Sequence, residues 1–362
     1  MPGRSYVLLY YEVIMAQRLT TRAIVFSRPI RAELRDGVIL PELDDEGILV
    51  RTEYSTISRG TEVDLYTGQM HGKGLDTQWY PLLPGYMPVG LVETVGKKVD
   101  HVKVGDRVVG SNLFAGFDER YCSAWAGHTQ MVVISRASHP GLAARRAVKV
   151  PDGVPPEKAG LAMLAGVAWH GVHEKIKPQP DEIVLIIGQG VIGNFAAQLC
   201  QAMGARVIVA DPYENRLAIS RDNGIEDTLQ GNIGDLKLAV LERTGGQAPD
   251  AIIEVTGESN PLRQALDIVK PYGRVHAQGM YLDEVPKDIL RVLFNRNLTL
   301  SATGGERPEM IAECLRMMAD GTIQANGMLT AIADPKDATE TYHEVYTHPE
   351  QYMTCAFKWQ KE

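Results

Sequence analysis

Three glycines and one acid carry the most specific chemistry in the chain. Gly188-Gln189-Gly190-Val191-Ile192-Gly193 is a G-x-G-x-x-G run, and Asp211 follows it after about twenty residues. That spacing suits a dinucleotide. Gly188 permits a tight turn, Gly190 lets a pyrophosphate approach the backbone, and Gly193 lets a helix pack closely on a strand. The phosphates would lie on the unpaired N–H groups at the start of that helix. Asp211 would accept hydrogen bonds from the adenosine ribose hydroxyls and would repel a 2′-phosphate. Pro212 and Tyr213 add no cation to offset the repulsion, and Arg216 would either lie over the adenine or pair with a carboxylate. The cofactor expected from these residues is NAD rather than NADP.

Such a turn works only between the right elements. Ile183 to Ile187 is a short, β-branched apolar run that reads as a buried parallel strand. Asn194 to Met203 reads as a helix, Gly204 sits where a left-handed C-terminal cap is usual, and Arg206 to Ala210 reads as a second strand. Alternation continues beyond. Ala251 to Val255, Arg274 to Gln278 and Leu298 to Ala302 read as further strands, the last as another buried one, and Asn260-Pro261 reads as a helix cap with proline at the first helical position. This order specifies a doubly wound parallel sheet, whose ligands bind beyond the strand C-termini. Thr256-Gly257, Gln278-Gly279-Met280 and Thr303-Gly304 fall there, as cofactor contacts or as plain turns.

The earlier part has another texture. From Arg22 to about Pro151 the chain is strand-like and turn-rich, with Ile48 to Ile57, Val89 to Val95, a strand after Gly105-Asp106, and Thr129 to Ile134. That predicts an irregular, mainly antiparallel β domain. Pro155 to His173 is Ala-rich and predicts a helix, and Met353 to Trp359 predicts a final strand.

Composition limits the alternatives. With 362 residues, 44% hydrophobic and 23% charged, the chain can support two domains and a large core. Its net charge of −8 and lack of a basic block point away from nucleic acid and anionic membranes. Cys122, Cys200, Cys314 and Cys355 form no C-x-x-C, against a disulfide framework or a thiolate-rich zinc site. The apolar stretch Tyr6 to Ala16 is interrupted by Glu12 and lacks a small-x-small cleavage pattern, and Met15 offers an alternative start. A cytoplasmic protein without a membrane span is expected.

A β-rich first part, a late dinucleotide unit and a short return segment together resemble the medium-chain dehydrogenase/reductase superfamily. Pro84-Gly85-Tyr86-Met87-Pro88-Val89-Gly90 is similar to that family's G-H-E-x-x-G segment, and Gly105-Asp106-Arg107-Val108 follows it. Ser58-Arg59-Gly60-Thr61-Glu62 resembles the S-x-G-T-E variant of a zinc-lacking branch, which includes enzymes called bacteriochlorophyllide hydroxyethyl dehydrogenases. That substrate is not carried over. The resemblance implies an α/β protein: a GroES-like catalytic domain over 1–155, completed by 305–362, and a Rossmann domain over 156–304.

Departures from the family pattern carry the chemistry. Zinc-dependent members hold the metal with a Cys, a His-Glu pair and a later Cys or Glu. Here Arg59, then Tyr86 and Met87, then Leu164 or a neighbour fall at those places, and none is a suitable zinc donor set. Zinc would have polarised the substrate oxygen. Arg59 could supply a fixed positive field instead, and the Tyr86 phenol could donate to the same oxygen or exchange a proton with it. The competing readings are a structural ion pair for Arg59 and space-filling for Tyr86. Thr61 falls at the family's relay hydroxyl and Asp64 where some members place a relay His, although Asp64 could equally be a solvated aspartate. Glu62 matches an acidic family residue and would orient Arg59 or a backbone group. His170, on the Ala-rich helix, is a further catalytic candidate against a structural role, ahead of His71, His128 and His173.

The expected protein is thus an NAD-dependent, zinc-independent oxidoreductase interconverting a secondary alcohol, such as a sugar or polyol, and its ketone. A quinone or enoyl reductase and a non-catalytic NAD-binding scaffold are the alternatives. A homodimer or homotetramer is implied by the family and by the strand at Leu298 to Ala302.

Overall fold

The computed structural model describes residues 19–70, 79–110, 118–135, 146–231, 236–282, 284 and 287–360. His71 lies outside the described residues. Six parallel strands build the nucleotide-binding half, in the spatial order Thr228–Gln230, Arg206–Asp211, Ile183–Ile187, Ala251–Glu254, Arg274–Ala277 and Thr299–Ala302. The order reverses at Ile183–Ile187, and the crevice beyond that strand's C-terminal end is where such sheets bind ligands. Every residue of Ile183–Ile187 is buried, as a central strand covered on both faces must be.

Two element boundaries differ from expectation. The helix after the glycines is Val191–Ala202, capped by Gly190, so the turn runs into the helix without a linker. The helix at Pro261 is Ser259–Ile268, and its cap is Glu258 rather than Asn260. Proline in the third helical position costs no hydrogen bond, because the first four N–H groups of a helix have no internal acceptor. The strand expected to be buried, Leu298 to Ala302, is Thr299–Ala302 and forms the half-exposed edge of the sheet. Leu298 and Leu300 pack onto the core while Thr299 and Ala302 are exposed, and an apolar run does not by itself tell a central strand from an edge one.

The first half is mainly antiparallel. Ile48–Thr56 pairs with Met87–Val95 on one side and with the C-terminal strand Thr354–Lys358 on the other. The return segment therefore completes the sheet that the N-terminal part begins. Between the halves lies Leu161–Trp169, a helix apolar on nearly all faces, which is how a helix buried on all sides reads. The Ala-rich stretch is not one helix: Gly160 breaks it, and His170–Ile176 continues as a π-helical turn. One core cluster runs from Met87 and Val89 through this helix to Val184 and Ile186, joining the two halves.

Candidate active site

The glycine turn has the shape a pyrophosphate requires. Gly188 has φ +95°, a conformation that a side chain would strain. A Cβ on Gly193 would stand 1.9 Å from the Gly188 carbonyl oxygen, whereas one on Gly190 would meet nothing within 4 Å. The helix Val191–Ala202 has no side-chain cap, which leaves its first amides for an anion. The chain thus fits the cofactor that the fold implies, with Gly188 to Gly193 as the phosphate seat. When bound, a nicotinamide dinucleotide supplies a two-electron acceptor or donor of hydride.

Asp211 ends its strand beside that turn with its side chain almost wholly covered. Its Oδ2 accepts from the Gln189 N–H at 2.7 Å, and its Oδ1 accepts from the Tyr213 N–H at 2.9 Å. The carboxylate therefore stitches the turn to the strand. Arg216 lies 3.6 Å from Asp211 Oδ2 and stands over the Tyr213 ring at 4.8 Å, so it takes the carboxylate-pairing option. Pro212 follows in the same turn, and its carbonyl accepts from Gln230 at 3.4 Å. Further along the edge, the Thr256-Gly257 and Gly279-Met280 turns are packed so tightly that a Cβ on Gly279 would reach the Gly257 nitrogen at 2.4 Å. Gln278 is tied to His276 at 2.9 Å and to Thr303 at 3.2 Å. The sheet topology brings these predicted cofactor residues to one edge.

Arg59 and Tyr86 make different contacts. Arg59 opens the helix Arg59–Thr67, and burial followed by the Arg216 guanidinium pulls its pKa below the ordinary value. Tyr213, Asp64 and Asp211 act in the opposite direction. Both Arg59 and Arg216 keep a buried Nε without a hydrogen-bond partner. Two cations thus stand near Asp211, one supplied by a residue far away in sequence. Asp64 is half-buried, and its charge acts on Arg59.

Tyr86 heads a polar chain on the catalytic-domain side. Its hydroxyl donates to Ser58 Oγ, and Thr61 hydrogen-bonds to the same phenol. Its ring meets Trp125 edge-on at 5.1 Å. Burial, with the charges of Glu62 and Glu306, pushes the phenol well above its ordinary pKa, so it keeps its proton and acts as a donor. Behind it, the Ser58 N–H donates to Glu62 Oε1 at 2.8 Å. Glu62 Oε2 meets His128 Nε2 at 2.8 Å and accepts from the Tyr342 hydroxyl at 2.5 Å. His128 Nδ1 lies 2.7 Å from Ser55 Oγ, which also accepts from the Trp359 indole at 2.9 Å. A carboxylate only accepts, so His128 donates to Glu62 from Nε2. Of the two expected partners of Glu62, Arg59 or a backbone group, the carboxylate holds the backbone N–H of Ser58, and it also meets His128 and Tyr342.

His170 lies on the π-helical turn, its Nδ1 3.2 Å from the Gly305 carbonyl and its Nε2 3.3 Å from Glu174. His173 stacks on Trp169 at 4.3 Å. Three buried groups escaped the sequence reading. Burial holds His276 at a pKa of about 4, so it is a neutral bridge between Ser301 and Gln278. Burial also raises Glu254, which accepts from Thr256 and Tyr281 at the end of a central strand. Glu306 follows the last strand and is only 9% exposed. A lone acid in a glycine-rich turn carries no local signal; only its place after a parallel strand could have marked it.

The metal positions fit no metal. Arg59, Tyr86 and Leu164 are not zinc donors, and among the described residues no three His, Cys, Asp or Glu side chains gather to hold an ion. No step is therefore derived through one.

Comparison with known proteins agrees with the architecture. Residues 44–154 match the alcohol dehydrogenase GroES-like domain, and residues 191–320 match the zinc-binding dehydrogenase family. An L-threonine 3-dehydrogenase of Chelativorans sp. (strain BNC1) is 28% identical over 335 residues, 89% of this chain and 94% of that protein. A solved alcohol dehydrogenase from Escherichia coli CFT073, complexed with NADH, superposes with a TM-score of 0.78 at 17% identity, covering 94% of this chain and 99% of the other. A zinc-binding dehydrogenase from Sinorhizobium meliloti 1021, bound to NADP, gives 0.78 at 18% identity, covering 94% and 100%. A GroES-like domain joined to a Rossmann sheet, matched along both parts by dehydrogenases, places this chain in the zinc-type alcohol dehydrogenase-like, medium-chain dehydrogenase/reductase superfamily of oxidoreductases.

Proposed function

We propose that the protein is a zinc-independent member of this superfamily, of the zinc-lacking branch, that interconverts a secondary alcohol and its ketone with NAD. One observation carries the reading. At a position where relatives place a metal ligand stands a phenol, kept protonated by burial and held by the hydroxyls of Ser58 and Thr61. With its proton turned from Ser58 Oγ to a substrate oxygen, this phenol can stabilise negative charge there without a metal. Polar surroundings and a threonine dehydrogenase among the relatives favour a polar substrate such as a polyol or hydroxy amino acid. The test is a panel of secondary alcohols, polyols and their ketones, assayed by reduced-nicotinamide absorbance on protein of measured metal content. Turnover at full rate after exhaustive chelation is expected. Dependence on stoichiometric metal would overturn the reading.

NAD rests on Asp211, and the Arg59–Arg216 pair supports a second reading, an NADP(H)-linked reductase. Titration with NADH and NADPH separates them, and tighter NADH binding is expected. Asp211→Ala combined with Tyr213→Arg should shift the ratio of the two dissociation constants at least about tenfold toward NADPH. An unmoved ratio would remove the role assigned to Asp211.

A second copy of the chain is the partner this reading favours. Among the described residues the edge strand Thr299–Ala302 pairs on one side only, and in the helix before it Phe294 is 83% exposed and Leu290 76% exposed. Such an edge invites pairing with another sheet. Phe294→Asp should convert a dimer into a monomer in light scattering, and a monomeric parent would refute the assignment. A cytoplasmic location accords with the free thiols among the described residues.

A further inference from the structure

The loop after the last parallel strand holds an acid that the proposed reaction has not yet used. Glu306 follows Thr303-Gly304-Gly305 at the C-terminal edge of the sheet, where ligands of such folds bind. Its side chain packs on the buried helix Leu161–Trp169: a Cβ on Gly166 would touch the Glu306 Cβ at 3.2 Å and its Cγ at 3.6 Å. The residues on either side fix the loop. The Gly305 carbonyl meets His170, and the Arg307 guanidinium pairs with Glu174, both on the π-helical turn. Glu306 Oε1 is buried without a hydrogen-bond partner. An unmet buried carboxylate oxygen is costly, so its retention calls for a ligand or a proton.

Alcohol oxidation must remove a hydroxyl proton, and the other candidates are spoken for. The Tyr86 phenol holds its own proton and is coupled by charge to Glu306. Glu62 already accepts from Ser58, His128 and Tyr342. Resting on the reading of the protein as an alcohol oxidoreductase, we propose that Glu306 is the base that receives the substrate hydroxyl proton, with Tyr86 as the hydrogen-bond donor that holds the same oxygen. In the oxidative direction the carbinol C–H bond breaks, and its hydrogen leaves with both electrons to the oxidised nicotinamide. The O–H bond breaks and its proton goes to the Glu306 carboxylate, while the electron pair it leaves becomes the second bond of C=O. In reduction, the protonated acid returns that proton to oxygen. Burial raises the Glu306 carboxyl to about 7, with Arg146 drawing it back, which lets it accept and release a proton near neutrality. His170 and Arg307 act as positioning residues for it.

Two measurements on the full-length protein test this. Infrared titration of the cofactor-free protein should show a protonated-carboxyl carbonyl band that disappears with a midpoint near 7 and is missing from Glu306→Gln. A wild-type protein without such a band overturns the proposal. With any secondary alcohol that the panel identifies, kcat should rise with pH through one ionisation. Glu306→Gln should lose that ionisation and about 10²-fold or more in rate, while Glu306→Asp should keep the ionisation at a reduced rate. Wild-type turnover with an unchanged profile in Glu306→Gln refutes the role of Glu306 alone. No turnover by the wild type on any member of the panel refutes the oxidoreductase reading and this proposal with it. Should Glu306→Gln fail to fold, as seen by circular dichroism, the Glu306→Asp profile and the wild-type titration decide.

Discussion

Tyr86→Phe is expected to slow the hydride-transfer step by a factor on the order of 10²–10³, the usual cost of removing one preorganised donor from a developing oxyanion. Cofactor affinity should not change, because the glycine turn and Asp211 lie on the other half of the molecule. The substitution is nearly isosteric, so the edge-on contact with Trp125 survives and the fold should hold. Ser58 Oγ loses a donor but keeps its own hydroxyl, and Thr61 remains beside it. The pH dependence should also be retained. The phenol stays protonated across the neutral range, so the profile's ionisation belongs to a carboxyl rather than to Tyr86. Single-turnover kinetics give the rate, and quenching of protein fluorescence by NADH gives the affinity. An unaltered rate would reduce Tyr86 to a space-filling side chain.

The contrast with Arg59 shows what local sequence can carry. The glycine turn, its strands and its helix are legible because their signals are contiguous: an apolar run, three glycines at fixed spacing, and an acid at the end of the next strand. The catalytic side depends on contacts that no short stretch contains. Arg59 was matched to a metal position by its neighbours in sequence, yet of the charges around it only Asp64 is near in sequence, while Arg216, Tyr213 and Asp211 come from far along the chain. Glu306 is distant in sequence from Tyr86, and only the fold couples the two charges. The edge strand was misjudged for a related reason. Leu298 and Leu300 are apolar whichever face is covered, and only pairing order reveals that Thr299–Ala302 has a neighbour on one side. The π-helical turn at His170–Ile176 left no compositional mark, although it places His170 against Gly305 and Glu174.

Glu62→Ala should destabilise the N-terminal domain by about 3–5 kcal/mol, the range for removing one partner from a buried charged network. The carboxylate is fully buried and collects three donors: the Ser58 N–H, the His128 ring and the Tyr342 hydroxyl. Burial and the neighbouring Glu62 push the Tyr342 phenol well above its ordinary pKa, so it cannot ionise to relieve the loss. Truncation leaves all three donors without an acceptor, at about 1–3 kcal/mol each before relaxation. Two of these donors are distant in the chain, since Tyr342 lies 280 residues beyond Glu62 and His128 lies 66 beyond. The carboxylate thus fastens the return segment to the first sheet, and its loss should loosen both together. Glu62→Gln is gentler, because the amide oxygen can still accept while its NH2 group opposes one donor. Its cost should be about 1–3 kcal/mol. Urea unfolding followed by tryptophan fluorescence measures both, since Trp125 and Trp359 lie in this domain. Ser58 joins the network to the phenol, so Glu62→Gln should also slow turnover, and its effect should not add to that of Tyr86→Phe. A loss of stability below about 1 kcal/mol for Glu62→Ala, or strict additivity of the two rate effects, would mean that Glu62 and Tyr86 act apart.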